Sequence, residues 1–289
     1  ESAGDIRGYG HDADWYSSLA QMFSVGETVK GVGDSAAAVA GNFPAAKPVA
    51  EVWKASTKLD ALGSTGRRIV TLAPTDKTKV TPAPGDLKGV GFQWANLSGT
   101  QQLNLSKTAA TPTGDAVDGQ RILNYLRGDR SFESTSTVSN LYRQRGTLLG
   151  DIVDSKVVYV GKPSATYSDS SNPGYAKFKT DYATRVPLVI VGANDGMVHA
   201  FDASEGVDAG KEVFGLVPYS VFEGPDANPE VSGIQALARK TYVHHYYMNA
   251  TPEIRDVDLA RTGAKLDSFG SSVPSDWRTL MVVGQGKGG

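Results

Sequence analysis

Apolar positions recur at two different spacings along the chain. Between residues 14 and 23, Trp15, Leu19, Met22 and Phe23 fall at helical intervals behind Asp12 or Asp14, either of which can cap a first turn, so a short amphipathic helix is predicted there. Gly, Ala, Ser and Pro dominate residues 26–66, where Val49, Val52 and Trp53 cluster without a period that assigns an element. Residues 67–72 and 89–94 read as strands, joined over 73–88 by a loop rich in Thr, Pro, Lys, Asp and Gly. Residues 101–105 fit one helical turn. After a loop over 108–114, Asp115 can cap a helix that presents Ile122, Leu123 and Leu126 on one face and stops at Gly128. A Ser/Thr-rich segment over 131–139 then leads to Leu141-Tyr142-Arg143-Gln144-Arg145.

Beyond residue 150 the apolar runs shorten. Strands are predicted at 157–160, 187–191, 197–201, 212–217, 240–244, 253–257 and 279–283, a density that points to a repeated β unit. Asn194-Asp195-Gly196 separates the second from the third and favours positive φ, hence a tight hairpin turn. A polar insert over 164–184 has a second half, 175–182, that fits a short helix.

Composition agrees with this picture. The 33 Gly and 14 Pro make up about 16% of the chain against a typical 12% or so, an excess that fits many turns. With 40% hydrophobic and 21% charged residues the chain can build a core and is too weakly charged to be disordered. The 29 Lys and Arg against 31 Asp and Glu leave a net charge of −2, which removes any overall electrostatic case for binding nucleic acid or an anionic membrane. The longest apolar run, 186–191, is interrupted by Pro187 and falls far short of the ~20 residues of a spanning helix. With no cysteine, disulfides, thiolate metal sites and Cys nucleophiles are excluded. The chain opens at Glu1 and closes on Gln285-Gly286-Lys287-Gly288-Gly289, so a processed chain or a piece of a longer protein is expected.

The string Val189-Ile190-Val191-Gly192-Ala193-Asn194-Asp195-Gly196-Met197-Val198-His199-Ala200-Phe201-Asp202-Ala203, followed by Gly210-Lys211-Glu212-Val213-Phe214, resembles a blade of the quinoprotein-like β-propellers. In such a blade three antiparallel strands meander. Asn194, Asp195 and Gly196 would form its turn and Asp202 would end its second strand. Phe214, where most such blades carry Trp, would dock between neighbouring blades.

Further segments add order. Leu126-Arg127-Gly128-Asp129-Arg130 with Glu133, then Arg143-Gln144-Arg145, Leu149-Gly150-Asp151-Ile152-Val153-Asp154-Ser155 and Val158-Tyr159-Val160-Gly161, resemble the PilY-type family of type IV pilus tip proteins. Gly91-Phe92-Gln93-Trp94-Ala95-Asn96-Leu97-Ser98 before them is similar to the family in the same order. So are Asn249-Ala250-Thr251-Pro252-Glu253, Asp276-Trp277-Arg278-Thr279 and Gly284-Gln285-Gly286-Lys287-Gly288-Gly289 after them. The resemblance covers about residues 67–289, and more thinly 15–19.

The resemblance implies a mainly β fold: a partial β-propeller of quinoprotein-like blades preceded by a loop-rich segment with a few short α-helices. Residues 1–114 would be the irregular α+β lead-in and 115–289 the first blades, incomplete at the C-terminus. It also implies a non-enzymatic, exported component at the extracellular pilus tip, acting in pilus assembly and extension, twitching motility, virulence, and surface or host-cell adhesion. The implied partners are minor pilins, a host or abiotic surface, and the remainder of the propeller or a partner that closes it. The family's Asp-rich calcium loop belongs to later blades. No Asp-x-Asp-x-Asn pattern occurs here, so no cofactor is expected in this chain and calcium is expected only beyond residue 289.

Candidate chemistry is sparse. Arg127-Gly128-Asp129 is an integrin-type tripeptide and an adhesion candidate, yet it ends a predicted helix, where Gly128 reads as a C-cap and Arg127 and Arg130 can pair with Asp129 or Glu133. His244-His245 invites a metal, but neighbours on a strand face opposite ways. His199 reads as a hydrogen-bonded inner-blade residue. His11 with Asp12 and Asp14 suits either a cation or helix capping. Asp151/Asp154 and Asp256/Asp258 sit where hairpin and bulge carboxylates would, and no Gly-x-Ser-x-Gly elbow or Walker Lys-Ser/Thr occurs. Tyr242, Tyr246 and Tyr247 suit either core packing or protein and glycan contact. Two rivals share the blade pattern: a quinoprotein dehydrogenase, which would need a cofactor site and usually a vicinal Cys pair, and a generic outer-membrane or periplasmic scaffold propeller.

Overall fold

The computed structural model describes residues 7–10, 50–260 and 275–289. The helix expected over 14–23 and the His11, Asp12 and Asp14 group lie outside the described residues. In chain order the strands and helices are β1 (Arg7–Gly10), β2 (Ala50–Lys54), α1 (Ala55–Gly66), β3 (Ile69–Pro74), β4 (Leu87–Gly91), α2 (Gly99–Ser106), α3 (Ala116–Arg127), β5 (Val158–Val160), α4 (Tyr175–Asp181), β6 (Leu188–Ala193), β7 (Met197–Asp202), β8 (Glu212–Val217), β9 (Glu253–Asp258) and β10 (Trp277–Val282).

Two helix starts, those of α2 and α3, have a local cause. Asp115 Oδ1 accepts from the N–H groups of Val117 at 2.9 Å and Asp118 at 3.3 Å, and Gly128, at φ 117°, stops α3 in the left-handed conformation that a side chain resists. Ser98 and Gln101 form a reciprocal capping box on α2, and the same Gln101 donates Nε2 to Leu72 O of β3 at 2.9 Å. The cap thereby also docks the helix.

Strands β5, β6, β7 and β8 form an antiparallel meander, the four-stranded unit of a propeller blade. The turn between β6 and β7 pairs Ala193 with Met197, and positive φ falls on Gly196 alone, at 85°. β8 then accepts β3 in parallel, and β4 closes the far edge, giving the order β4-β3-β8-β7-β6-β5. Two smaller antiparallel pairs, β1 with β2 and β9 with β10, complete the described sheets. The fold is mainly β, a partial propeller with a few short helices, as the blade resemblance implied.

Central strand β7 is buried along its whole length because both faces of the sheet are covered. On one side Val198 and Ala200 join Ile69, Ile190 and Val217 beneath Leu105 of α2 and Ile122, Leu123 and Leu126 of α3. On the other, Phe201 meets Val191, Ala55 and Leu59 of α1, and Leu148, Leu149 and Ile152. Residue by residue, burial of side chains this size contributes about 1.5–3 kcal/mol. Gly210, at φ 75°, lies beneath Trp53, whose Cε3 would stand 2.6 Å from any added Cβ; the Gly-Lys step of the blade leaves room for the indole.

One predicted strand is absent. Residues 240–244 form a turn and an extended stretch with no ladder partner. The segment is held by side chains instead: the Arg143 guanidinium lies 4.6 Å from the Tyr242 ring centroid, and buried Tyr247 donates to Gly233 O at 3.0 Å. Within 240–244 Val243 is exposed and only Tyr242 packs against the core; full burial begins beyond the segment, at Tyr247 and Met248. The face argument for His244-His245 accordingly lapses.

Candidate functional site

The parallel pairing of β3 with β8 brings Arg67, two residues before β3, level with Glu212 at the start of β8. Glu212 accepts from Arg67 Nε at 2.7 Å and Nη2 at 2.9 Å, and from His199 Nδ1 at 2.8 Å. Across the ring, His199 Nε2 reaches the Asp195 carboxylate at 3.0 Å. Asp195 also accepts the N–H of Gly150 at 3.0 Å and of Met197 at 3.2 Å. Gly215 pairs with His199 across β7 and β8, and Glu212 Oε1 passes 3.2 Å from where its Cβ would be, so a bare backbone leaves space for the array.

Two cations face two carboxylates, all but Asp195 being fully buried at the side chain. Burial opposes charge on His199, but the Asp195 carboxylate and the hydrogen bonds to Asp195 and Glu212 outweigh it, and its pKa rises to about 9. Burial likewise opposes ionisation of Glu212, while hydrogen bonds from His199 and Arg67 and their charges bring it down to about 2. Asp195 is lowered for the same reason: burial is outweighed by the His199 charge and hydrogen bond. His199 is therefore an imidazolium that donates through both nitrogens. Neither nitrogen is free to serve as a base. The array stitches β3, β7, β8 and the β6–β7 turn together.

Segment 149–155 braces the same turn from outside. Asp151 O accepts the N–H of Asn194 at 2.9 Å, and Asp151 Oδ2 accepts from Asn194 Nδ2 at 2.8 Å and His244 Nε2 at 2.9 Å. Ser155 Oγ accepts the Gly192 N–H at 3.0 Å, and Asp154 Oδ2 takes Asn249 Nδ2 at 2.7 Å and Lys287 Nζ at 2.9 Å. Asn194 Oδ1 in turn accepts the Tyr247 N–H at 3.0 Å. Of the segments that carry the family resemblance, 149–155 meets the 192–196 hairpin directly, and 249–253 and 284–289 join it through Asn249 and Lys287 on Asp154.

The remaining candidates fall elsewhere. Arg127 donates Nη1 to Phe92 O at 3.0 Å and Nη2 to Ser64 O at 3.2 Å, and buried Gly128 has Leu148 Cδ1 2.9 Å from its missing Cβ. Asp129 Oδ1 accepts the Ser131 N–H at 2.8 Å and hydroxyl at 2.6 Å; Arg130 pairs with Glu133 at 3.1 Å. Asp202 Oδ1 accepts the Ser204 N–H at 2.7 Å, and Phe214 packs half-buried against the larger core. Asp256 takes the Tyr175 hydroxyl at 2.9 Å and the Thr279 hydroxyl at 2.7 Å. Among the described residues no group of three or more His, Cys, Asp or Glu is placed to hold a metal ion, and no helix is long and apolar enough to cross a membrane.

Sequence reasoning gave Arg67 and Glu212 no role beyond opening predicted strands. It also gave no role to Arg145, whose guanidinium lies 3.6 Å from the Tyr125 ring centroid while donating Nε to Glu133 at 2.6 Å and Nη1 to Tyr125 O at 2.7 Å. The available signal for Arg145 was an Arg-x-Arg step beside a Ser/Thr-rich stretch.

A four-stranded antiparallel meander of this kind is the unit from which β-propeller proteins are built. Residues 149–272 match the PilY1 beta-propeller domain, and the chain belongs to the PilY1-type family. It is 34% identical over 202 residues to the type IV pilus biogenesis factor PilY1 homolog of Xylella fastidiosa, covering 68% of this chain and 14% of that protein. It is 33% identical over 214 residues to the type IV pilus biogenesis factor PilY1 of Pseudomonas aeruginosa strain PAK, covering 71% of this chain and 16% of that one. The chain therefore spans a small fraction of the curated relatives it matches. No solved structure matches it.

Proposed function

We propose that the chain forms the lead-in and first blades of a pilus-tip component that acts by binding, in type IV pilus assembly and extension and in attachment to surfaces or host cells. The observation that carries this reading is the similarity to proteins named type IV pilus biogenesis factors over 68% and 71% of the chain. Residues 1–114 serve as the lead-in and 115–289 as the first blades, with β3 and β4 lent to the edge of the first. Its partners are minor pilins, a surface receptor, and the rest of its own propeller or a partner that closes it; its place is the extracellular pilus tip. Calcium, where the family uses it, acts beyond residue 289.

The buried array is a structural brace, with both His199 nitrogens committed to carboxylates. Cells lacking this chain, then complemented with it in its full-length context, test the reading. Loss of surface pili with restoration on complementation is the expected result; normal piliation without the chain would overturn it.

A further inference from the structure

Two open clefts, about 350 and 500 Å³, meet along the C-terminal half of α3 and share Gln93 and Arg127. Together they fall in the size range of small-ligand sites. The first is walled by Trp94, Gln120 and Asn124, with Gln120 and Asn124 four residues apart on one face of α3 and Arg127 one turn further. Trp94 is fixed against the helix: its Cη2 would lie 2.6 Å from a Cβ on Gly119, so only glycine there lets the indole seat.

The three carboxamides of this trough face solvent. Among the described residues, none of the Gln93, Gln120 and Asn124 carboxamides has a hydrogen-bond partner. Arg127 is held side-on by the carbonyls of Phe92 and Ser64 and, among the described residues, has no carboxylate within ion-pairing distance. Burial and the neighbouring Arg67 lower its pKa, with Glu212 partly offsetting them, so an anion placed on its free N–H groups would stabilise the charge further. Neither cleft is lined by Asp or Glu, Arg67 is neutralised by Glu212, and exposed Arg68 adds a second cation on the rim. A fixed indole offers a face for the C–H side of a pyranose ring, and carboxamides match vicinal hydroxyls with paired donors and acceptors.

We infer that this trough binds an acidic saccharide, with the carboxylate on Arg127, the sugar ring against Trp94 and its hydroxyls on Gln93, Gln120 and Asn124. The site is distinct from the buried array and does not depend on the pilus assignment. Titration of the ¹⁵N-labelled chain with 3′-sialyllactose and trigalacturonate, against lactose and maltotriose, tests it.

At least one acidic saccharide is expected to move the Trp94 indole N–H and the three carboxamides saturably, about tenfold more tightly than its neutral counterpart, a factor one charge-assisted contact supplies. Arg127→Gln should abolish that preference. Because Arg127 also ties two backbone carbonyls, the double variant Gln120→Ala/Asn124→Ala, on the exposed face of α3, should weaken binding several-fold with an unchanged melting temperature. Absence of saturable shifts at Trp94 with either acidic saccharide, equal affinity for neutral sugars, or unaltered binding by the double variant would overturn the inference.

Discussion

Arg67 and Glu212, 145 residues apart in sequence, meet through two hydrogen bonds of 2.7 and 2.9 Å, with side chains 1% and 0% exposed. Glu212 also holds His199, so removing its charge leaves buried Arg67 without its carboxylate and His199 with Asp195 alone. Glu212→Gln should destabilise the fold by about 3–5 kcal/mol, the cost of breaking a buried pair from one side. Urea unfolding followed by tryptophan fluorescence measures it, and a loss below about 1 kcal/mol would mean the pair is dispensable.

The array sets a pH window. His199, raised from 6.5 to about 9, contributes stability that is full below about pH 6.5 and is lost as pH rises through about 9. Glu212, lowered from 4.5 to about 2, contributes stability present above about pH 4.5 and lost as pH falls towards 2. Stability from these two groups should therefore be greatest between about pH 4.5 and 6.5 and decline on both sides. Unfolding curves across pH should show the alkaline decline in the native chain and its flattening in His199→Gln.

Gly150 tests the brace. A methyl there would press on the backbone N of Asp195 and stand 2.9 Å from its Cβ, pushing segment 149–155 off the β6–β7 turn. Gly150→Ala should cost about 1–3 kcal/mol by overpacking. Amide exchange should quicken at Asn194 and Met197 while that of α3 stays slow.

The Arg127-Gly128-Asp129 tripeptide is committed to ending α3, with Arg127 turned onto carbonyls and Asp129 bonded to Ser131. A soluble Arg-Gly-Asp peptide is expected not to compete with the chain for any surface it binds. Gly128→Ala should cost about 1–3 kcal/mol, since φ is 117° and Leu148 fills the space a Cβ needs. Efficient competition by the peptide would contradict this placement.

What was legible in the sequence was local. Asp115 and Gly128 mark both ends of α3 because capping chemistry is written within a few residues, and the β6–β7 turn follows from Asn-Asp-Gly. His199 was legible as an inner-blade residue, but not its partners: hydrophobic period identifies a strand and never names its neighbour, so the β3–β8 pairing that delivers Arg67 to Glu212 was invisible. Residues 240–244 misled because Tyr242 and Val243 are strand-favouring residues, yet Val243 is exposed and Tyr242 lies under the Arg143 guanidinium. α1 escaped because Gly63, non-helical at φ 57°, breaks a helix in a Ser- and Gly-containing stretch.

Immunogold labelling of intact, visibly piliated cells with an antibody against this chain tests the pilus-tip reading most directly. Gold concentrated at pilus tips is the predicted result. Piliated cells whose tips carry no label would contradict it and return the chain to the class of scaffold propellers.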